Sequence, residues 1–201
     1  MHSCNEFGPA RAAYGSGMPH DALIAHLLAH SVRTGEFTLK SGKRSSWFID
    51  AKQTTCRPDG MLLVADAALE VIPEDVTAIG GLTMGADAVA FGIAAIAATR
   101  GRDLRSFSVR KEVKDHGGGG RIAGALEPGD RVVITEDAVT RGVSMLEAAA
   151  VIRDEGAAEP VLLLPVVDRG GTVEAMAAEH GLALRALVTA PDLGFPYEGP
   201  S

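Results

Sequence analysis

The sequence predicts an α/β fold, with a central, mostly parallel sheet flanked by helices. Three observations carry that reading. From Val76 onward, strand-like and helix-like segments alternate. The segments RVVIT (131–135) and VLLLPVV (161–167) are nearly unbroken apolar runs, as expected of strands covered on both faces. The polar residues able to do chemistry come directly after such runs, where open α/β sheets bind ligands.

The elements follow in order. Residues 1–18 are rich in Gly, Ala and small polar residues and read as a poorly ordered tail. Asp21–Val32 carries Leu23, Ile24, Leu27 and Leu28 at helical spacing. EFTLKSGKRSSWFID (36–50) reads as two short strands around a Ser-Gly-Lys turn. A helix follows Pro58 and stops at Pro73. Val76–Ile79 is a short strand leading into Gly80-Gly81, and Ala86–Thr99 an Ala-rich helix. Strands are expected at Arg105–Val109, Arg131–Thr135, Val161–Val167 and Leu182–Val188. Helices are expected at Ser144–Glu155 and Thr172–His180.

A length of 201 residues suits one domain. The net charge of −7 argues against a broad nucleic-acid surface. No apolar run approaches the roughly 20 residues of a membrane span, and a basic-then-apolar signal pattern is absent. Cys4 and Cys56 are far apart and form no CxxC pair, which points to a reducing, cytoplasmic setting. His26 and His30 stand at i, i+4, but no third metal ligand is evident, so they read as surface or packing residues.

The most informative stretch is RVVITEDAVTRGVS (131–144). Glu136 and Asp137 follow the buried-looking run, where the strand is expected to leave the sheet. Ala138 and Val139 lead into the turn Thr140-Arg141-Gly142-Val143, and Ser144 reads as the N-cap of the next helix. Backbone N–H groups of the turn and helix start, with the helix dipole behind them, suit a phosphate. Two acids beside a phosphate would repel it unless they serve another part of the same ligand. A ribose 5-phosphate resolves the conflict: the loop holds the phosphate and the acids accept bonds from the ribose hydroxyls. A Walker A loop and a GxGxxG turn are both absent.

VRKEVKDHGGGG (109–120) crowds Arg110, Lys111, Lys114 and His116 into one segment before four glycines. That composition suits a mobile lid bringing positive charge to a polyanion, and cations delivered on closure would stabilise a leaving pyrophosphate.

These segments resemble a known family. VVITEDAVTRGVS is similar to the phosphoribosyl-diphosphate (PRPP) signature of type I phosphoribosyltransferases. RKEVKDHG resembles the lid of the orotate phosphoribosyltransferases. FTLKSGKRSSWFID and IGGLTMGADAVA resemble two further segments of that family, in the same order. The resemblance spans about residues 20–190. It implies a type I phosphoribosyltransferase-like fold within 19–201, with a small N-terminal hood mainly at 19–75 and a core mainly at 76–190. It implies PRPP contacts for Arg110, Lys111, Lys114, His116, Glu136, Asp137, Ala138, Val139, Thr140, Arg141, Gly142, Val143 and Ser144. Thr83 and Met84 join them from the pyrophosphate loop, where other branches carry lysine at the Met84 position and proline at that of Ala88. Lys114 and Asp137 are the implied catalytic residues. Lys40, Phe48, Ile49, Thr140 and Arg169 are implied for orotate, Arg169 through its carboxylate, which also suits the guanidinium chemically.

The expected reaction joins orotate to PRPP with Mg²⁺, which is held via PRPP and water, with no residue singled out as a direct metal ligand. A homodimer is expected, with the 110–120 loop reaching the neighbouring active site, and no nucleic-acid or membrane partner. Two alternatives stay open at this point: transfer to another nucleobase, or a non-catalytic PRPP-binding regulator.

Overall fold

The computed structural model describes residues 19–38, 42, 44–113 and 120–199. The expected tail at 1–18, together with Lys40, Lys114 and His116, lies outside the described residues.

Helix α1 (Pro19–His30) ends at His30 rather than Val32, because Val32 opens strand β1 (Val32–Thr38) and pairs with Ile49. β1 and β2 (Arg44–Ile49) form an antiparallel ribbon. Burial alternates along β2: Ser45, Trp47 and Ile49 face inward while Arg44, Ser46 and Phe48 face out, the period of a half-covered strand. A short helix α2 (Lys52–Thr55), not expected from the sequence, precedes α3 (Pro58–Val71). Thr54 ties α2 to α1, bonding to His26 Nδ1 at 3.1 Å and to Ser31 Oγ at 2.7 Å. His26 thus has a packing role, with its other nitrogen 3.4 Å from Asp59.

The main sheet comprises β3 (Ala78–Leu82), β4 (Arg105–Val109), β5 (Ile122–Gly124), β6 (Arg131–Val139), β7 (Glu159–Asp168), β8 (Ala183–Leu184) and β9 (Val188–Thr189). Its order is β5-β4-β3-β6-β7-β8, with β9 also on β7. β5 is antiparallel to β4 and every other pairing is parallel, so the expected mostly parallel sheet is present. The Val76–Ile79 strand is displaced: Gly80 and Gly81 lie inside β3, opposite Phe107 and Ser108. The ring of Phe107 fills the space where a Gly80 side chain would stand, with its Cδ2 2.6 Å from a Cβ built there. The single last strand expected over 182–188 is two short ones. Between their pairings β7 carries Pro165, which has no N–H to donate.

Helices cover both faces. On one face α1, α3 and α4 (Asp87–Thr99) pack on Ile79, Val133, Leu162, Leu164 and Val166. On the other, α5 (Val143–Glu155) and α6 (Val173–Glu179) pack on Ala78, Phe107, Val132, Ile134 and Leu163. Neighbouring strand residues such as Val132 and Val133 therefore serve opposite cores, which is why the strands read as continuous apolar runs. Among the described residues, no helix is long and apolar enough to cross a membrane.

Candidate active site

Strand β6 does not leave the sheet at Glu136, as the sequence suggests. It runs on to Val139 because β7 continues beside it, pairing Glu136 with Pro165 and Val139 with Asp168. On its other edge, pairing with β3 ends at Gly80↔Ile134. The two acids are thus fixed on a strand, with one edge open to the turn after β3. Both are buried, at 8% exposure each.

That turn holds Thr83, Met84 and Gly85. The Thr83–Met84 peptide is cis, Thr83 N–H donates to Val109 O at 2.9 Å, and Met84 is 73% exposed. Gly85 abuts Glu136 so closely that a Cβ there would overlap Oε1. The acid pair and the pyrophosphate-loop candidate therefore form one surface.

Burial pushes the Glu136 carboxyl up to about 7, with the Asp137 charge adding to the rise and a Ser144 hydrogen bond opposing it. Lys52, from α2, forms a salt bridge with Asp137. Burial pulls the Lys52 pKa down, but the hydrogen bond and charge of Asp137, then the charges of Glu136 and Asp50, outweigh it and leave it above its ordinary value. The ion-paired Asp137 carboxylate is well placed to accept bonds from neighbouring hydroxyls, and a Glu136 carboxyl that holds its proton up to about 7 can donate one or accept one.

The phosphate-loop candidate follows at the same sheet edge. Gly142, not Ser144, is the N-cap of α5. Its φ of +70° is left-handed, and a Cβ there would lie 2.8 Å from Val173 Cγ1, so both backbone and packing require glycine. Ser144 sits inside the first turn, from which its hydroxyl reaches Glu136. The loop is braced by the end of β7: Arg169 N–H donates to Val139 O at 2.8 Å, and Thr172 Oγ donates to Thr140 O at 3.1 Å. The side chains of Arg141 and Val143 are exposed, while Ala138 and Thr140 are half-buried.

The basic segment springs from an antiparallel pair. Val109 of β4 pairs with Ile122 of β5. Arg110 N–H donates to Arg121 O at 2.7 Å, and Arg121 Nε donates back to Arg110 O at 2.7 Å. The loop thus has a fixed stem, on which Arg110 is half-buried and Lys111 exposed.

The base-pocket candidates divide. Phe48 faces outward and packs beside Phe37 with ring centroids 5.8 Å apart. Ile49 points the other way into the core, at 6% exposure, so the two side chains face opposite sides of β2. Strand alternation separates any adjacent pair in this way. Arg169 is buried and forms a salt bridge with Glu198. Its Nη2 also donates to Trp47 O at 3.0 Å, and its guanidinium lies 4.7 Å from the Trp47 ring centroid.

Three residues here escaped the sequence reading: Lys52, Gly85 and Glu198. Lys52 and Glu198 lie far along the chain from their partners, and no local pattern marks them. Gly85 did carry a signal, as a glycine just after a buried strand.

No protein-family model matches the chain. Curated relatives do. The chain is 37% identical to the orotate phosphoribosyltransferase of Rhodopirellula baltica over 180 residues, covering 86% of this chain and 92% of that one. It is 40% identical to the orotate phosphoribosyltransferase of Corynebacterium glutamicum strain R, covering 86% and 93%. Among solved structures, that of Mycobacterium tuberculosis H37Rv orotate phosphoribosyltransferase matches with a TM-score of 0.77 at 34% identity, covering 89% of this chain and 100% of that one. The same protein solved in complex with PRPP matches with a TM-score of 0.75 at 29% identity.

Proposed function

The chain belongs to the orotate phosphoribosyltransferase family, and on that premise we propose how its residues divide the reaction. The enzyme is a pentosyltransferase of pyrimidine biosynthesis: it joins orotate to PRPP, releasing pyrophosphate and forming orotidine 5′-monophosphate.

In this reading Glu136 and Asp137 accept the ribose hydroxyls, the Ala138–Ser144 segment holds the 5-phosphate, and Thr83 and Met84 border the pyrophosphate. One observation carries it. The acid pair is fixed on β6, with the Gly85 turn against it and the α5 loop directly after it, so a single phosphorylated pentose spans all three. Orotate is placed against Lys40, Phe48, Ile49, Thr140 and Arg169. Orotate is already anionic at neutral pH, so no strong general base is needed. The bond from C1 to the pyrophosphate oxygen breaks through an oxocarbenium-like state, and the base nitrogen takes its place on C1. Arg110, Lys111, Lys114 and His116 neutralise the departing pyrophosphate, with Lys114 foremost in the transition state.

The donor set fits Mg²⁺ held largely by substrate. Glu136 and Asp137 are hard oxygen donors that would share the ion with the substrate's own oxygens. When bound with PRPP, the ion supplies charge neutralisation at the diphosphate. The same reading takes residues 19–75 as a hood and 76–190 as a core within one domain, and places the enzyme in the cytoplasm. It also includes a homodimer in which the 110–120 loop completes the neighbour's site.

A spectroscopic assay of orotate consumption tests the reaction. Loss of orotate absorbance that requires both PRPP and Mg²⁺ is expected, and no consumption with both present would refute it. Uracil, hypoxanthine and adenine, offered in its place, should not be consumed.

A further inference from the structure

Arg169 closes the carboxyl end of β7, directly against the loop after β6. Its side chain is 9% exposed, yet it is not fully satisfied. Nη2 serves Trp47 O at 3.0 Å, Ser45 Oγ at 3.3 Å and Glu198, while Nε is buried with no hydrogen-bond partner among the described residues. Oε2 of Glu198 lies against Nη2 without the alignment of a hydrogen bond. Glu198 therefore engages the guanidinium from one corner only. A carboxylate lying in the fork would take Nε and Nη2 together, which is the stronger arrangement.

Glu198 arrives on a strap formed by the last described residues. Phe195 stacks on Trp47 with centroids 4.6 Å apart and planes 10° apart. Tyr197 lies against Gly171, its Cγ 2.7 Å from a Cβ built there. Glu198 N–H donates to Arg169 O at 2.9 Å, and Ser45 Oγ donates to the Glu198 carboxylate. The strap is thus fastened to both the ribbon and the sheet edge, with its carboxylate on the cation that the base's carboxylate needs.

From this geometry we infer that Glu198 is a specificity-determining residue, an internal carboxylate that occupies Arg169 and yields it only to a carboxylate-bearing base. The inference rests on the proposed role of Arg169 toward orotate. An incoming base without a carboxylate leaves the Glu198–Arg169 pair in place and finds its position closed. Orotate offers both fork contacts, displaces the strap, and binds with an affinity reduced by the fraction of time the strap is shut.

The test compares the native chain with Glu198→Gln, which keeps the size and removes the competing charge. A buried guanidinium without its counter-charge draws the substrate carboxylate more strongly. The KM for orotate should fall by about tenfold, the scale of one charge-assisted contact, with the KM for PRPP unmoved. Uracil, which lacks the carboxylate and is shut out while Glu198 holds Arg169, should inhibit the variant more strongly than the native chain. The second measurement needs no variant. Trp47 is the one tryptophan of the chain, so its indole N–H gives a single NMR signal. Saturating orotate should shift that signal as Phe195 and Arg169 move, and uracil should not. A purely structural Glu198 would show an unchanged or raised KM for orotate in the variant and an unmoved indole signal in the native chain, and either result overturns the inference. If the native chain turns over orotate while these readouts fail, the family reaction stands and only the Glu198 role falls. A native chain that consumes no orotate overturns both.

Discussion

Gly85 and Glu136 claim the same volume: a Cβ on Gly85 would overlap Oε1 of Glu136 and come within 3.0 Å of Oδ1 of Asp137. The absence of a side chain at residue 85 is what allows the acid pair to stand against the turn after β3. Replacing Gly85 with Ala should push Glu136 out of position and lower kcat/KM for PRPP by about 10²-fold, the scale of a displacement near 1 Å at a reacting centre. Steady-state kinetics with PRPP varied would show it. Unchanged kinetics would mean that Glu136 does not contact the sugar from its observed position.

The Glu136 carboxyl is held up to about 7, chiefly by burial, against an ordinary value of 4.5. Between those two values the folded state binds a proton that the unfolded chain has released, so this group's contribution falls as pH rises through the window. Glu136→Gln removes the dependence. The melting temperature of the native chain, without ligand, should therefore drop relative to the variant as pH goes from about 5 to about 8. Parallel melting curves across that range would count against a buried, proton-holding Glu136.

Lys52 reaches Asp137 from α2 and is the cation that faces the acid pair among the described residues. Lys52→Ala leaves two adjacent carboxylates with no counter-charge, and the sugar hydroxyls then meet a pair with altered protonation. We expect the KM for PRPP to rise by about tenfold, with partial rescue by Lys52→Arg. A variant with unchanged KM for PRPP would show that the salt bridge does not prepare the site.

Lys114→Ala should lower kcat by about 10²–10³-fold with a smaller change in KM for either substrate, because the charge it meets develops as pyrophosphate leaves. Comparing single-turnover with steady-state rates would separate this from slowed product release. A normal kcat in the variant would rule out the proposed lid chemistry.

The alternation of elements and the helices on both faces of the sheet were legible in the sequence, because each rests on local pattern. Val132 and Val133 read as buried on both faces, and they serve opposite cores. The TEDAVTRGVS stretch stood out as a candidate site because the acids, the glycine turn and the helix start are contiguous in the chain. Boundaries were less legible where a neighbour decides them. β6 extends past Glu136 because β7 continues beside it, and the single strand expected over 182–188 divides across Pro165.

By itself the sequence determined the succession of strand, acid pair, glycine turn and helix start that makes the candidate site, since that succession is a local pattern. Only the tertiary structure decided what surrounds them: Lys52 on Asp137, Gly85 under Glu136, Glu198 on Arg169, and Phe48 and Ile49 on opposite sides of one strand. The pairings of Lys52, Gly85 and Glu198 join residues distant in the chain, and only the packed fold brings such partners within contact.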